Sequence, residues 1–147
     1  MASPRRCGGW ALVRGGDNVS AANHEWTKGE RARSFVKDRE STGVMETIGV
    51  RKWFEWFGRV CRNCRVHLEV DNSSVVLAVQ SLYSAKCEMM AEVEIIAALV
   101  CEYNITLRIR HVIGKDFNII ADHLSHDRVA DACTAAISEL GVPLLLL

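Results

Sequence analysis

Val66-His67-Leu68-Glu69-Val70-Asp71-Asn72-Ser73-Ser74-Val75-Val76 carries the chain from one period into another. Val66, Leu68 and Val70 share one face and His67 and Glu69 the other, which predicts a strand ending at Asp71. Asn72-Ser73 can then cap a helix over about Ser74 to Leu82, because a side-chain oxygen there accepts the free amides of a first turn. Downstream, Glu88–Tyr103 places apolar residues at 89, 93, 96, 100 and 103, the spacing of a longer helix that Asn104 stops. Ile105, Leu107, Ile109 and His111 alternate with Arg108 and Arg110, a further strand. Gly114-Lys115-Asp116 reads as a turn, and a helix carrying Asp122 starts near Asn118. Residues 127–140 read as one more helix, closed by Gly141 and Pro143.

Upstream, Val50, Trp53 and Phe57 fall at helical spacing within residues 43–58. Gly58 is the expected C-cap, with Arg59, Arg62 and Arg65 just beyond. Residues 27–42 are polar and basic without a clear period and read mostly as loop. Gly15-Gly16-Asp17-Asn18 is a turn signal between a strand at Gly8–Arg14 and another near Val19–Trp26. Strands alternating with helices in this way predict an α/β sheet with helices packed on it.

The 147 residues suit one domain, and 49% apolar with 24% charged residues is the balance of a globular chain. No apolar run approaches the ~20 residues of a bilayer span. Arg5 and Arg6 precede neither an apolar stretch nor a cleavage site, so a secretory signal is not expected. The expectation is an intracellular protein of cytoplasm or nucleus, with no membrane partner. Net charge is zero, yet residues 1–66 hold 13 Lys and Arg against 7 Asp and Glu, and residues 67–147 hold 5 against 11. A basic half beside an acidic half permits phosphates on one side and carboxylates on the other. Of six cysteines, Cys101 lies in the apolar run Ile95–Val100, where a buried free thiol is ordinary. Cys61-Arg62-Asn63-Cys64 is the one metal-like pair, but a structural zinc needs four ligands and no second pair follows at finger spacing. Two thiols beside a helix end is the better reading.

Three acids invite attention. Asp71 ends a strand, where α/β sheets commonly bind ligands. Glu46 lies four residues before Val50, in the first turn of its helix and on the apolar stripe, a costly place for a charge. Asp122 is flanked by Ile119, Ile120, Ala121 and Leu124. Buried carboxylates are paired or hold a metal, and hard oxygen ligands suit Mg²⁺ or Mn²⁺. Each acid also has a plain reading: Glu46 as a helix acid favoured by the dipole, Asp71 as a turn residue, Asp122 as a solvated first-turn acid. Spacing alone reaches no further than an α/β domain with a possible acidic metal site.

Together these segments resemble the ribonuclease H domain of retrotransposon reverse transcriptases. Arg110-His111-Val112-Ile113-Gly114-Lys115-Asp116-Phe117-Asn118-Ile119-Ile120-Ala121-Asp122-His123-Leu124-Ser125-His126 resembles the closing motif R-H-x-x-G-x-x-N-x-x-A-D-x-L-S-R. Leu68–Val76 resembles the segment T-D-N-x-x-V, and Val44-Met45-Glu46-Thr47-Ile48 resembles the start of the first helix, 25 residues before Asp71. Met1-Ala2-Ser3-Pro4 through Gly8-Gly9-Trp10-Ala11 resembles D-A-S-P…G-G-W. The resemblance implies a ribonuclease H-like mixed sheet with flanking helices over residues 1–126, followed by a C-terminal helix and Leu-rich tail over 127–147. It implies two-metal hydrolysis of the RNA strand of an RNA–DNA hybrid, told from DNA by its 2′-hydroxyls. Glu46, Asp71 and Asp122 match the second, third and fourth of the family's four carboxylates around two Mg²⁺ (or Mn²⁺) ions. An upstream reverse transcriptase domain of the same polyprotein is the implied partner. Arg59, Arg62 and Arg65 are candidates for phosphate contacts, with an ordinary solvated loop as the competing reading.

The departures matter as much. The family's first carboxylate falls at Met1, and the apolar strand that should precede it has no counterpart here. That strand is central, so its loss is expected to split the sheet and leave two edges unpaired. His123 and His126 stand where small and basic residues are usual, leaving the acid pattern as it is. The expectation is a fragment, or a chain begun at an internal methionine, that is inactive as it stands. Two other functions remain open: a decayed nucleic-acid-binding module, and a small α/β interaction domain using Trp10, Trp53, Trp56 and the Leu144–Leu147 tail.

Overall fold

The computed structural model describes residues 7–14, 18–36, 39–40, 42–112, 119–141 and 143–146. In chain order the elements are β1 (Cys7–Arg14), β2 (Asn18–Glu25), α1 (Lys28–Arg33), β3 (Phe35–Val36), β4 (Arg39–Glu40), α2 (Thr42–Phe57), β5 (Arg65–Val70) and α3 (Ser73–Ser81). Then follow α4 (Cys87–Glu102), β6 (Thr106–His111), α5 (Ile119–Ser125), α6 (Val129–Leu140) and β7 (Leu144–Leu146). The class is mixed α/β. Two compact units divide the chain, Thr27–Val112 and Met1–Trp26 with Ile113–Leu147. The expected turns at Gly15–Asp17 and Gly114–Asp116 lie outside the described residues.

In the unit Thr27–Val112, α2 packs along α4, and α3 touches both. The expected stripe of α2 is the core: Val50, Trp53 and Phe57 are buried, together with Val44, Ile48 and Phe54. Trp53 meets Phe54 edge to face at 5.0 Å and Phe57 at 5.6 Å between ring centroids. Burying each such ring contributes about 1.5–3 kcal/mol. Trp53 is therefore a core residue and not an exposed apolar contact. Gly58 follows the helix at a point of close approach: a Cβ there would stand 2.4 Å from the Phe54 carbonyl oxygen and 2.7 Å from the Tyr103 ring.

β5 and β6 run parallel, from Arg65 beside Thr106 to Val70 beside His111. Between them the chain forms α3 and α4. Asn72 caps α3 as expected, its Oδ1 accepting from the Ser74 amide at 3.0 Å and the Val75 amide at 3.4 Å. On α4, Met89, Val93 and Ile96 of the expected stripe are buried and Val100 is half-buried, as is Tyr103 just past its end. Cys101 is exposed on the outward side, contrary to the expected buried thiol. The apolar run continues round α4, and its two final residues, Cys101 and Glu102, turn to solvent.

Residues 27–42 hold more order than a loop. Thr27 Oγ1 accepts from the Glu30 amide at 3.1 Å, while Glu30 Oε1 accepts from the Thr27 amide at 2.9 Å. This reciprocal box starts α1, and the short ladder β3–β4 follows.

In the other unit β1 and β2 are antiparallel, from Cys7 beside Glu25 to Arg14 beside Asn18. α5 packs on β1 and α6. Ala21, Leu124 and Ala132 form the core with Ile120, Val129 and Leu144 around them. Gly141 closes α6 with φ +66°, a conformation that suits glycine. Leu144–Leu146 of the Leu-rich tail adds a third strand, parallel to β2.

The described strands form three separate ladders, β1-β2-β7, β3-β4 and β5-β6. Among the described residues β1 has a strand partner on one side only, and so does β5.

Candidate functional site

Asp71 stands where the sequence places it, directly after β5 and before the cap Asn72, and is half-buried. The Val112 amide donates to the Val70 carbonyl at 2.9 Å, so the ladder holds right up to this position. Glu46 is half-buried between buried Met45 and Thr47, and its Oε2 is sealed from solvent. Because α2 begins at Thr42, Glu46 lies one turn inside the helix and not in its first turn. That removes the simple dipole explanation, whose effect fades beyond the first turn.

Asp122 does lie in the first turn of α5, with its side chain only 15% exposed, which excludes a freely solvated acid. Its Oδ1 is 3.8 Å from His126 Nδ1 and its Oδ2 is 3.7 Å from Arg128 Nη2. His126 thus lies against the acid itself, a contact that its place in the motif did not announce. The Asp122 carbonyl accepts from Ser125 Oγ at 2.7 Å.

Glu46 and Asp71 belong to the unit Thr27–Val112 and Asp122 to the other. Among the described residues no three His, Cys, Asp or Glu side chains gather as a metal-holding group. A pair of divalent ions asks for many oxygen ligands at once. Three carboxylates, one already beside a guanidinium, do not fit that demand.

Arg59, Arg62 and Arg65 are all exposed. Arg62 lies over the Tyr103 ring, 5.4 Å from its centroid. Asn63 adopts φ 62°, donates its amide to the Tyr103 carbonyl at 2.9 Å, and accepts from Asn104 Nδ2 at 2.9 Å. Arg62 and Asn63 thereby clasp the end of α4, a structural task. Cys61 is buried there and Cys64 exposed, both free thiols.

One charged cluster escaped the sequence reading. Glu92 is 4% exposed on α4 and accepts from Arg33 of α1 and Arg51 of α2. Arg51 also pairs with Glu55, and Lys52 with Glu30 at 3.0 Å. Burial acts to lower the Arg51 pKa, but hydrogen bonds to Glu55 and Glu92 and their charges outweigh it and raise the value. The guanidinium is thus charged at any ordinary pH. Three cations meet three carboxylates, so the network is balanced and holds α1, α2 and α4 together. Glu92 sits three residues after Met89, on the buried face, and a glutamate on an apolar stripe is the signal that marks it.

A cavity of about 660 Å³ is lined by Leu68, Val79, Ile96, Val100, Leu107 and Ile109 among others, and none of the three acids borders it. No helix among the described residues is long and apolar enough to cross a membrane. A scan against models of protein families and searches of curated proteins and of solved structures found no match to the chain.

Proposed function

We propose that this chain is a ribonuclease H-like domain of retroelement origin that no longer hydrolyses RNA by itself. The observation that carries the reading is that β1 and β5, among the described residues, each have a strand partner on one side only. A ribonuclease H-like sheet has a central strand between the strands corresponding to β1 and β5, and no described residue supplies it. A ribonuclease H-like sheet without that strand would have β1 at the edge of one ladder and β5 at the edge of another, and the described ladders are compatible with this. Asp71 after β5, Asp122 on α5 and Glu46 near the start of α2 add support, each on the element that the motifs assign. The donor set argues against activity, since three carboxylates fall short of a two-ion site.

The test uses the chain as it exists and an extended form. Residues 1–147 are expected to give no Mg²⁺-dependent cleavage of an RNA–DNA hybrid. Fusing an apolar strand ahead of Ala2, with Met1→Asp at its end, is expected to restore cleavage that Asp71→Asn removes. Cleavage by the unextended chain, abolished by Asp71→Asn, overturns the claim of inactivity. An extended chain that folds and never cleaves overturns the family reading.

A further inference from the structure

The two faces of the β5–β6 ladder differ sharply. Val66, Leu68 and Val70 are buried on one, with Leu107 and Ile109 half-buried beside them. On the other, Arg65, His67, Arg108 and Arg110 are exposed around a half-buried Glu69. Parallel strands are ordinarily covered by helices on both faces. This outer face bears the wrong chemistry for the apolar stripe of a helix. Arg110 pairs with Glu69 at 2.6 Å, but Arg65 and Arg108 make no ion pair among the described residues.

The register sets His67 beside Arg108 and Glu69 beside Arg110. Alternate residues of a strand lie roughly 6.6 Å apart and neighbouring strands about 4.8 Å. The face therefore carries three guanidinium groups at strand spacing, one of them beside Glu69. A single small anion would engage one of them, whereas a polyanion with repeating charge engages several. Apart from Glu69, the fixed charges are guanidinium groups, whose planar fork matches phosphate oxygens two at a time.

We infer that the outward face of β5–β6 is a docking surface for the phosphate backbone of a nucleic-acid duplex, held by Arg65, Arg108 and Arg110. The choice of nucleic acid as the polyanion rests on the ribonuclease H-like reading; the basic face does not. Arg59 and Arg62 lie outside it, on the turn that clasps α4.

The experiment is fluorescence anisotropy of the full chain with a labelled RNA–DNA hybrid across roughly 50–200 mM salt. Affinity should fall steeply with salt, and Arg65→Ala and Arg108→Ala should each flatten the logarithmic slope by about one. Arg108→Lys should keep most of the slope, and Arg59→Ala should leave it unchanged. Equal binding of a DNA duplex through the same arginines keeps the surface while withdrawing support from the hybrid reading. The inference is overturned if the chain binds no duplex, or if the Arg65→Ala/Arg108→Ala double variant, melting like the parent, binds unchanged. Displacement of the hybrid by polyglutamate at equal charge concentration also overturns it, in favour of an acidic protein partner. Cleavage by the strand-extended chain that ignores both arginines separates the two ideas the other way, removing the surface and keeping the family.

Discussion

The α1–α2–α4 interface and the outer face of β5–β6 are both rich in arginine, and they use it in opposite ways. In the first, Arg33, Arg51 and Lys52 meet an equal number of carboxylates, Glu92, Glu55 and Glu30. In the second, three arginines and a histidine surround a single glutamate, and the side chains face water. The difference is one of desolvation. A charge removed from water must find its partner inside the fold, whereas an exposed one can wait for a partner from outside. Matched charges mark the interface as architecture, and unmatched ones mark the sheet face as a surface for something else.

The comparison breaks most visibly at Glu92. Glu92→Ala leaves Arg51, with its side chain 14% exposed, without its inner partner. Breaking such a buried pair should cost about 3 kcal/mol, read from urea unfolding. Replacing Glu92 and Arg51 together by Met should cost clearly less than Glu92→Ala alone, because no buried charge is then stranded. A loss below about 0.5 kcal/mol for Glu92→Ala, the range of an ordinary surface change, would falsify the structural reading of the network.

Gly58→Ala tests the joint between the two regions, where α2 gives way to the turn leading into β5. The added methyl meets a backbone oxygen at 2.4 Å and an aromatic ring at 2.7 Å. The oxygen belongs to the helix and cannot swing aside, so destabilisation of about 2 kcal/mol is expected. Tyr103→Ala in the same background should relieve only the ring contact. If the double variant regains full stability, the ring alone sets the limit, and the joint is looser than the backbone contact implies.

Asn72→Ala removes the oxygen that takes two free amides of α3. A loss of about 1 kcal/mol in thermal unfolding is expected, with Asn72→Ser retaining most of it. That cap was legible from the sequence because every part of it lies within four residues. The same holds for β5, α4 and β6, whose periods are local. What stayed hidden is what depends on distant partners. Arg33 and Arg51 reach Glu92 across 59 and 41 residues, and no local pattern announces such a pair. A split sheet was expected from the resemblance alone, because no local period records which strands pair. Asp71 and Asp122 were legible in position, since a strand end and a helix start are local features. Their fitness to hold a metal was not, because it turns on neighbours such as Arg128 and His126 that only the folded chain supplies.

The smallest effect carries the sharpest contrast. Arg108→Ala should change the stability of the chain by less than about 0.5 kcal/mol, because the side chain is exposed and no ion pair is lost with it. Arg110→Ala should cost little more, since its pair with Glu69 joins a side chain 72% exposed to one 35% exposed. Both are arginine-to-alanine changes, as is Arg51→Ala, which takes one of its two guanidinium partners from the buried Glu92 carboxylate and should destabilise by clearly more. Chemical unfolding of the three variants side by side thus ranks the two regions with one substitution type. Should Arg108→Ala prove as costly as Arg51→Ala, the β5–β6 face is holding the fold together, and its cations are already committed before any duplex arrives.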